Sequence, residues 1–395
     1  MRICVTGMGI ITSIGKNVEE NLFSLSKAQG GITRIEGLKN IRKSFLGGQI
    51  KLTDAELKFQ LKLSDNASAH RSTLLGLIAA KEAWGESMHR PKIRTGLIFG
   101  TTIGGININD NLFSKHSLIE PDAKFDYFIM HDDSFGTDFI ADTIGITNFK
   151  ATVSTACSTA ANSIQLGARL IRANKLDRVL VGGGEAITNY TLNGFDSLML
   201  YDQEVCRPFD ENRKGLNLGE AGCFLLLESE RCVSLSKRTI IAELNGWGNA
   251  CDAYHQTASS PEGTGAVVAI KEALKIAQMT PESIDVINAH GTGTPNNDLS
   301  EMAAMSSVFD DKIPRFSSTK SYIGHTLAAA GGVEAIYSIL SIKHGMIFPN
   351  LHFETPMKEF HRPPEHKLVV DKDLNVALSN SFGFGGNCTE LIFSK

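Results

Sequence analysis

A cysteine at the start of an alanine-rich segment is the side chain in this sequence best placed for covalent chemistry. Cys157 lies in VSTACSTAANS, where a β-branched run ends and a helical pattern begins. Unpaired backbone N–H groups and the positive end of the helix dipole favour a thiolate at such a junction, so we expect a lowered thiol pKa. An unreactive, buried cysteine is the alternative, and position alone leaves both open.

Two histidines stand in glycine-rich turns beside apolar strands, His290 in NAHGTGTP and His325 in KSYIGHTLAAAGG. The 11 histidines form no HExxH motif and no close His/Cys ligand set, so the sequence predicts no metal site. We interpret His361 and His366, in HRPPEH, as part of a solvated proline loop.

Three glycine-rich segments need separate interpretations. NSFGFGGN (Asn380–Asn387) surrounds Phe384 with glycines, and it could either bring backbone N–H groups close to a reacting carbonyl oxygen or form a tight hairpin. TGMGIIT (Thr6–Thr12) begins like a dinucleotide-binding fingerprint, but Thr12 occupies the third glycine position, which favours a tight turn. VGGGEA (Val181–Ala186) completes no phosphate-binding pattern.

The elements that must position these residues alternate along the chain as in an α/β protein. The predicted strands are Ile3–Thr6, Gly96–Gly100, Arg178–Val181, Cys223–Glu228, Thr239–Leu244, Ile284–Ala289, Val376–Leu378 and Thr389–Phe393. The predicted helices between them are Ala69–Ser87, Ser158–Ala173, Gly265–Gln278 and Ala328–Lys343.

The chain also divides into two similar halves. GEAGCFLLLE is echoed by FGGNCTELIF, and both the Cys157 and the His325 segments place a reactive side chain ahead of an alanine-rich helix. Two echoes in the same order indicate a duplication. A short charged stretch, Glu228–Arg238, separates the halves, so the sequence predicts domains of residues 1–234 and 235–395.

Composition excludes several classes of protein. With 395 residues, 42% of them hydrophobic and 21% charged, the chain can bury a large core. A net charge of −4 gives no electrostatic footprint for nucleic acid or an anionic membrane. The 7 cysteines are odd in number and lack CxxC spacing, and no signal peptide or membrane-spanning stretch is recognisable. We therefore expect a cytoplasmic protein in a reducing compartment.

Taken in order, the segments resemble the elongating β-ketoacyl-[acyl-carrier-protein] synthases of the thiolase-fold superfamily. The matching segments are VTGMGIITSIG, STACSTAANS, RPFDENRKG, LGEAG, AHGTGTPNND, SSTKSYIGHTLAAAGGVEA and NSFGFGGN. The resemblance covers essentially the whole chain. It implies an α/β, thiolase-like fold of two duplicated halves in five layers, α-β-α-β-α, with the active site where the halves meet.

The resemblance also implies the catalytic groups. Cys157 matches the nucleophile that accepts the acyl group, and His290 and His325 match the paired histidines of a Cys-His-His triad. Thiolases carry a second catalytic cysteine before a C-terminal glycine run, and initiating synthases have asparagine at the position of His325. The elongating, decarboxylating branch is therefore favoured. We expect the backbone N–H groups of Cys157 and Phe384 to stabilise the oxyanion.

Further residues match supporting positions of the family. Lys320 and Glu334 match a charge pair, which we expect to orient His325. Asp298 and Glu301 match acidic residues that hold the neighbouring loops.

Pocket residues and departures complete the resemblance. Phe195 and Phe384 match aromatic residues that gate the acyl pocket, and Ile103 matches a residue that lines its floor; packing in the core is the alternative. The departures are a shortened loop between Phe195 and Arg207, GEAGC, GGNC and YFIMHDDSFGTDFIADTIG. They affect the expected pocket shape, carrier docking and pathway, whereas the triad is intact.

The expected reaction is decarboxylative condensation of an acyl group on Cys157 with malonyl-[acyl-carrier protein], without a cofactor. A strand near Lys150–Ser154 would pair across a twofold axis, giving a homodimer or a heterodimer with a related subunit. One alternative is a non-catalytic chain-length-factor-like subunit, and another is a non-decarboxylating thiolase or acyltransferase. Primary fatty-acid elongation and a specialised polyene or polyketide pathway both remain open, and the shortened loop favours the specialised pathway.

Overall fold

The computed structural model describes residues 2–38, 43–85, 93–106, 130–360 and 362–395. Its strands are β1 (Ile3–Ile11), β2 (Thr33–Arg34), β3 (Leu46–Gly48), β4 (Thr95–Gly100), β5 (Phe149–Val153), β6 (Arg178–Glu185), β7 (Leu218–Gly219), β8 (Ala221–Ser229), β9 (Ala242–Cys251), β10 (Val286–Asn288), β11 (Arg315–Ser317), β12 (Met346–Ile347), β13 (Val369–Val370), β14 (Val376–Gly383) and β15 (Asn387–Ser394). Its α-helices are α1 (Val18–Ser26), α2 (Asp54–Leu61), α3 (Arg71–Trp84), α4 (Ser134–Ile144), α5 (Thr159–Arg172), α6 (Asn189–Ser197), α7 (Glu230–Ser236), α8 (Thr264–Ala277), α9 (Pro295–Phe309), α10 (Lys320–Ile323) and α11 (Ala330–His344).

The main sheet contains ten strands in the order β11-β10-β14-β15-β9-β1-β8-β6-β4-β5. If the strands of each half are numbered along the chain, both halves have the same order, 3-2-4-5-1, read from the outer edge inwards. The halves meet at a short antiparallel pairing of β1 with β9, at Cys4↔Glu243 and Val5↔Ala242. The strand order therefore repeats within the chain.

Helices cover the two half-sheets on both faces. Helix α3 packs on β1, β6 and β8, and α5 packs on the opposite face of that half against β4 and β6. Helix α11 packs on β10 and β14 and directly against α5, while α8 covers β9 and β15 on the outside with α9 beside it. Five layers follow one another in space: α3, the first half-sheet, α5 with α11, the second half-sheet, and α8 with α9. This order confirms the expected five-layer architecture.

Glycines on the first half-sheet let α3 approach its backbone closely. A Cβ atom on Gly7 or Gly9 would lie 2.0 Å from the carbonyl oxygen of Ala83 or Ala79, respectively. The tight turn expected at Thr6–Thr12 is therefore wrong, because the strand β1 continues through both glycines. VGGGEA is likewise strand, since β6 runs to Glu185.

The remaining predicted elements are found with shifted ends. Each predicted strand overlaps a strand of the main sheet, and the strand that the resemblance implies near Lys150–Ser154 is observed as β5. The short strand β11 is not among the predicted strands. The predicted helix Ala69–Ser87 is observed as α3, and its last two residues lie outside the described residues. The charged stretch Glu228–Arg238 is not an open joint: it completes β8 and forms α7, which packs on β1 and β8.

Two further expectations fall partly outside the described residues. His361 of the proline loop lies outside the described residues, and so do the first three residues of YFIMHDDSFGTDFIADTIG. Within the described ranges, no helix combines the length and the apolar character needed to cross a membrane.

Candidate active site

The nucleophile turn, Thr155–Ser158, connects strand β5 to helix α5. Ala156 adopts a left-handed conformation with φ 50°, a conformation that costs a non-glycine residue free energy and that therefore must be held by its surroundings. Thr159 holds it from the helix side: its Oγ1 accepts a hydrogen bond from the backbone N–H of Thr155 (2.8 Å) and donates one to the carbonyl of Ala156 (2.6 Å). The turn places Cys157 directly before the first turn of α5.

The Cys157 thiol is buried, with 6% of the residue exposed. Burial raises the pKa of Cys157 to about 11, although the Lys320 ammonium and the backbone N–H groups of Phe384 and Cys157 favour the thiolate. The lowered pKa expected from the helix N-terminus is therefore wrong for the protein without substrate. Removal from water outweighs the dipole and the hydrogen bonds at this position.

The glycine loop, Gly383–Gly386, packs against the nucleophile turn. A Cβ atom on Gly383 would lie 2.8 Å from the Thr155 carbonyl oxygen and 3.3 Å from the backbone nitrogen of Cys157. Gly385 and Gly386 both have φ 83°, a conformation that side chains rarely adopt. This close approach brings the backbone N–H of Phe384 within hydrogen-bonding reach of the Cys157 sulfur, beside the N–H of Cys157 itself.

His290 follows β10 in a loop fixed by Glu301 of α9. The Glu301 carboxylate accepts hydrogen bonds from the backbone N–H groups of His290 (2.8 Å) and Gly291 (2.7 Å) and from the Asn380 side chain (2.9 Å). Asp298 acts in the same way one turn earlier, accepting from the backbone N–H of Phe209 at 2.8 Å. Both acidic side chains hold loops, as expected.

Lys320 contacts His290 rather than His325. Its Nζ lies 3.1 Å from Nδ1 of His290, donates to the His290 carbonyl oxygen at 2.6 Å, and forms a buried ion pair with Glu334. The expectation that this charge pair orients His325 is therefore wrong. The reason is that α10 begins at Lys320, so the lysine side chain reaches the β10 loop while His325 follows the end of the helix.

His325 is oriented by its own backbone surroundings. The ring Nδ1 of His325 accepts a hydrogen bond from the backbone N–H of Leu327 at 3.1 Å, and the backbone N–H of His325 donates to the Asn217 carbonyl oxygen at 2.7 Å. The rings of His290 and His325 lie 5.2 Å apart, nearly perpendicular. Each Nδ1 faces a donor, so the neutral form of each ring carries its proton on Nε2.

Both histidines are held neutral. Burial lowers the pKa of His290 and of His325 well below the ordinary histidine value, and the nearby Lys320 ammonium lowers both further. Both residues are 2% exposed. Two neutral imidazoles with Nε2–H donors are thus suited to hydrogen-bonding a developing negative charge without exchanging a proton.

Cys157, His290 and His325 line one cavity of about 200 Å³. Phe195 and Phe384 line it too, with their rings stacked at 5.6 Å. The rest of the wall contains apolar and hydroxyl-bearing side chains, among them Leu198, Leu200, Leu216, Ser259, Thr292 and Thr294. Ile103, in contrast, is buried elsewhere and is not part of this wall. Its role in an acyl pocket stays a prediction.

Sequence reasoning missed the amide side chains that connect the site. The Asn380 side chain, on β14, donates a hydrogen bond to Glu301. The Asn387 side chain accepts one from Ser158 across the interface of the two halves. Asn387 stands in the GGNC departure, which was the only sequence signal, because residues 158 and 387 are distant along the chain. In the part of the chain that the structure describes, no group of three or more His, Cys, Asp or Glu residues is placed to bind a metal ion.

Comparisons with known proteins agree along the whole chain. The family model described as beta-ketoacyl synthase, N-terminal domain, matches residues 1–231, and the one described as beta-ketoacyl synthase, C-terminal domain, matches residues 241–354. The 3-oxoacyl-[acyl-carrier-protein] synthase 2 of Staphylococcus aureus (strain MRSA252) is 33% identical over 409 residues, covering 100% of this chain and 98% of the relative.

Two solved structures are similar over the full length. One is described as the ishigamide ketosynthase/chain length factor (TM-score 0.90, 28% identity, 100% of this chain and 99% of that one). The other is a type II polyketide synthase acyl-carrier protein in complex with its ketosynthase bound to the hexaketide (TM-score 0.87, 25% identity, 100% and 98%). Since the family models match residues 1–231 and 241–354 and the S. aureus relative matches over the full chain, this chain belongs to the β-ketoacyl synthase family.

Proposed function

We propose that this protein is a β-ketoacyl-[acyl-carrier-protein] synthase that condenses an acyl group on Cys157 with malonyl-[acyl-carrier protein]. The observation that carries the proposal is the convergence of the Cys157 thiol, two N–H donors beside it and two neutral histidines on one cavity. The S. aureus relative named as a 3-oxoacyl-[acyl-carrier-protein] synthase supports it.

In the first half-reaction, Cys157 sulfur attacks the carbonyl carbon of the carrier-bound acyl thioester. The thiol proton passes to solvent as the S–C bond forms, and the tetrahedral oxyanion accepts hydrogen bonds from the backbone N–H groups of Cys157 and Phe384. Collapse breaks the bond to the carrier sulfur, which takes up a proton and departs as a thiol. The acyl group then remains on Cys157 with no net gain or loss of protons.

In the second half-reaction, malonyl-[acyl-carrier protein] loses carbon dioxide. The electron pair of the broken C–C bond moves onto the thioester oxygen, where Nε2–H of His290 and of His325 stabilise the enolate. Its carbon then attacks the acyl carbonyl on Cys157, and the sulfur leaves and regains a proton from solvent. Lys320, paired with Glu334, acts through His290 by holding Nδ1 as an acceptor.

The test separates the two half-reactions. Wild-type protein incubated with acyl- and malonyl-carrier protein should yield β-ketoacyl-carrier protein and carbon dioxide. Cys157→Gln should abolish condensation while keeping malonyl decarboxylation, because the histidines and not the thiol stabilise the enolate. Loss of carbon dioxide release in this folded variant would contradict the proposed division of labour.

The alternatives predict different products. A chain-length-factor-like subunit would take up no acyl group, and the presence of Cys157 with both histidines argues against it. A non-decarboxylating thiolase would accept acetyl-coenzyme A as the second substrate in place of malonyl-carrier protein. Intact-mass measurement after incubation with each donor distinguishes the three.

The remaining parts of the proposal concern context. An acyl-carrier protein is the proposed partner, and a homodimer through the exposed edge of β5, or a heterodimer with a related subunit, is the proposed assembly; the two similar structures include a carrier protein and a chain length factor. All seven cysteines are free, which supports a reducing, cytoplasmic setting. We propose residues 1–234 and 235–395 as the duplicated units, in keeping with the repeated strand order.

A further inference from the structure

Asn387 connects the nucleophile turn to the glycine loop. Its Oδ1 accepts a hydrogen bond from Ser158 Oγ at 2.7 Å and another from Asn162 Nδ2 at 2.8 Å. Asn249 Nδ2 and Thr389 Oγ1 donate to the same oxygen, each at 3.1 Å. Four donor groups, from β9, α5, β15 and the turn, therefore lie within hydrogen-bonding distance of one amide oxygen.

The two donors on the side of the nucleophile turn, Ser158 and Asn162, also contact Thr155, two residues before Cys157. Ser158 Oγ also lies 2.8 Å from the Thr155 carbonyl oxygen, so its single proton is shared between Thr155 and Asn387, and Asn162 Nδ2 donates to Thr155 Oγ1 at 2.8 Å. Ser158 is fully buried. A network of this kind is rigid when every member is satisfied. Without the Asn387 oxygen, Ser158 and Asn162 would keep their bonds to Thr155 but would lose the acceptor that ties them to β15.

Asn387 also has a fixed position relative to the second oxyanion donor. It is the first residue of β15, directly after the glycine loop, in which the N–H of Gly386 bonds to the Gly383 carbonyl at 3.1 Å. Phe384 therefore lies in a short closed turn, three residues before the amide that binds Ser158. A shift of Asn387 would move the Phe384 N–H relative to Cys157.

We propose that Asn387 is a positioning residue that sets the separation of the Cys157 and Phe384 backbone N–H groups, so that both reach one acyl oxyanion. This inference rests on the proposed function, because it assigns a role in the acyl-transfer half-reaction. The histidine pair is held by other contacts, through Glu301, Lys320 and Leu327. The decarboxylation half-reaction is therefore independent of Asn387.

The experiment compares both half-reactions in Asn387→Ala, Ser158→Ala and the double variant. Acyl loading of Cys157 from an octanoyl-carrier protein is followed by intact mass in single turnover, and carbon dioxide release is followed from malonyl-carrier protein. We expect each single variant to load acyl groups about tenfold to hundredfold more slowly, because misplaced oxyanion donors lose much of their effect. Carbon dioxide release should stay within about twofold of wild type.

The double variant tests whether the two residues act through one bond. If they do, the loading rate of the double variant should match that of the slower single variant, since the effects of substituting residues in contact within one network do not add up. Thr389→Val is the comparison variant: it removes a donor from the same oxygen, but its hydrogen bonds run to Asn162, Asn249 and Asn387 and not to the nucleophile turn. It should slow acyl loading less than Asn387→Ala or Ser158→Ala does.

Several results would overturn the inference. They are unchanged loading in both single variants, equal loss of both half-reactions in variants with wild-type circular dichroism, or fully additive effects in the double variant. If Asn387→Ala does not fold, Ser158→Ala decides alone, because it shortens a side chain by one atom only. A wild-type protein that takes up no acyl group would contradict the proposed function instead, so the two failures are distinguishable.

Discussion

At the scale of single residues, burial of the Cys157 thiol determines how it would work as the proposed nucleophile. Because burial raises its pKa to about 11, only a small fraction is thiolate at neutral pH before substrate binds. Nucleophilic character must therefore develop as the substrate carbonyl approaches, with proton loss accompanying attack. The backbone N–H groups that lie within hydrogen-bonding reach of the sulfur before substrate binds are the same ones that would donate hydrogen bonds to the oxyanion.

We predict that acyl groups are transferred to Cys157 alone. Cys251 is the exposed cysteine, and thus it is the internal control for general thiol reactivity. Peptide mapping after brief incubation with acyl-carrier protein should find the label on Cys157 and none on Cys251. Label on another cysteine, with Cys157 unmodified, would refute the assignment.

The paired histidines lead to a second prediction. Replacing His290 or His325 by Ala should raise the decarboxylation barrier by about 3 kcal/mol, the size of one lost oxyanion donor. Acyl loading should suffer much less, because its oxyanion is held by backbone groups. Both rates are measured on each folded variant. A histidine variant that loses loading but keeps decarboxylation would identify that histidine as the base for Cys157.

At the scale of elements, the glycines beneath α3 set how closely helix and sheet pack. The strand β1 continues through Gly7 and Gly9 because the absent side chains leave room for the backbone of α3. Helix and strand in direct backbone contact exclude any added atom, since neither can move without moving the whole layer.

Gly9→Ala should therefore destabilise the fold by about 1–3 kcal/mol, the usual cost of overpacking a core. Gly194→Ala is the matched control, because Gly194 is exposed on helix α6 and nothing lies within 4 Å of an added Cβ atom. It should instead gain about 0.5–1 kcal/mol from the lower entropy of the unfolded chain. Urea unfolding measures both, and equal effects of the two changes would contradict the packing argument.

At the scale of the whole molecule, carboxyl groups buried between the layers couple stability to pH. Glu390 of β15 is fully buried, and neither of its oxygens has a hydrogen-bonding partner among the described residues. Burial raises the pKa of Glu390 well above its ordinary value, and the nearby carboxylates of Glu301 and Glu334 raise it further. The folded protein thus binds this proton more tightly than the unfolded chain.

A raised carboxyl pKa stabilises the fold at low pH, and this contribution is lost as pH rises from the unfolded value towards the folded one. The glutamine side chain of Glu390→Gln cannot ionise, so the variant does not lose this stability as pH rises. The difference in free energy of unfolding between the variant and wild type should therefore increase in favour of the variant between pH 5 and pH 8. Urea titrations at several pH values measure it. A difference that is independent of pH would rule it out.

The sequence alone determined most of the reaction chemistry, because that information is local. Cys157, His290 and His325 each stand in a short motif whose side chain and glycines are contiguous, and a strand or helix of sufficient length shows its periodicity without its neighbours. Repetition of those motifs also indicated the duplication, and the layered α/β architecture followed from the alternation of strands and helices.

Tertiary structure decided everything that depends on distance between segments. The thiol pKa rose instead of falling because burial is set by the packed layers, not by the helix terminus next to Cys157. Lys320 orients His290 because α10 and the β10 loop meet only in the fold. Likewise, Asn387 reaches Ser158 across more than half the chain, a contact that no local pattern could contain. Desolvation and hydrogen bonding both depend on which atoms are near in space, and that is fixed only once both half-sheets close around α5 and α11.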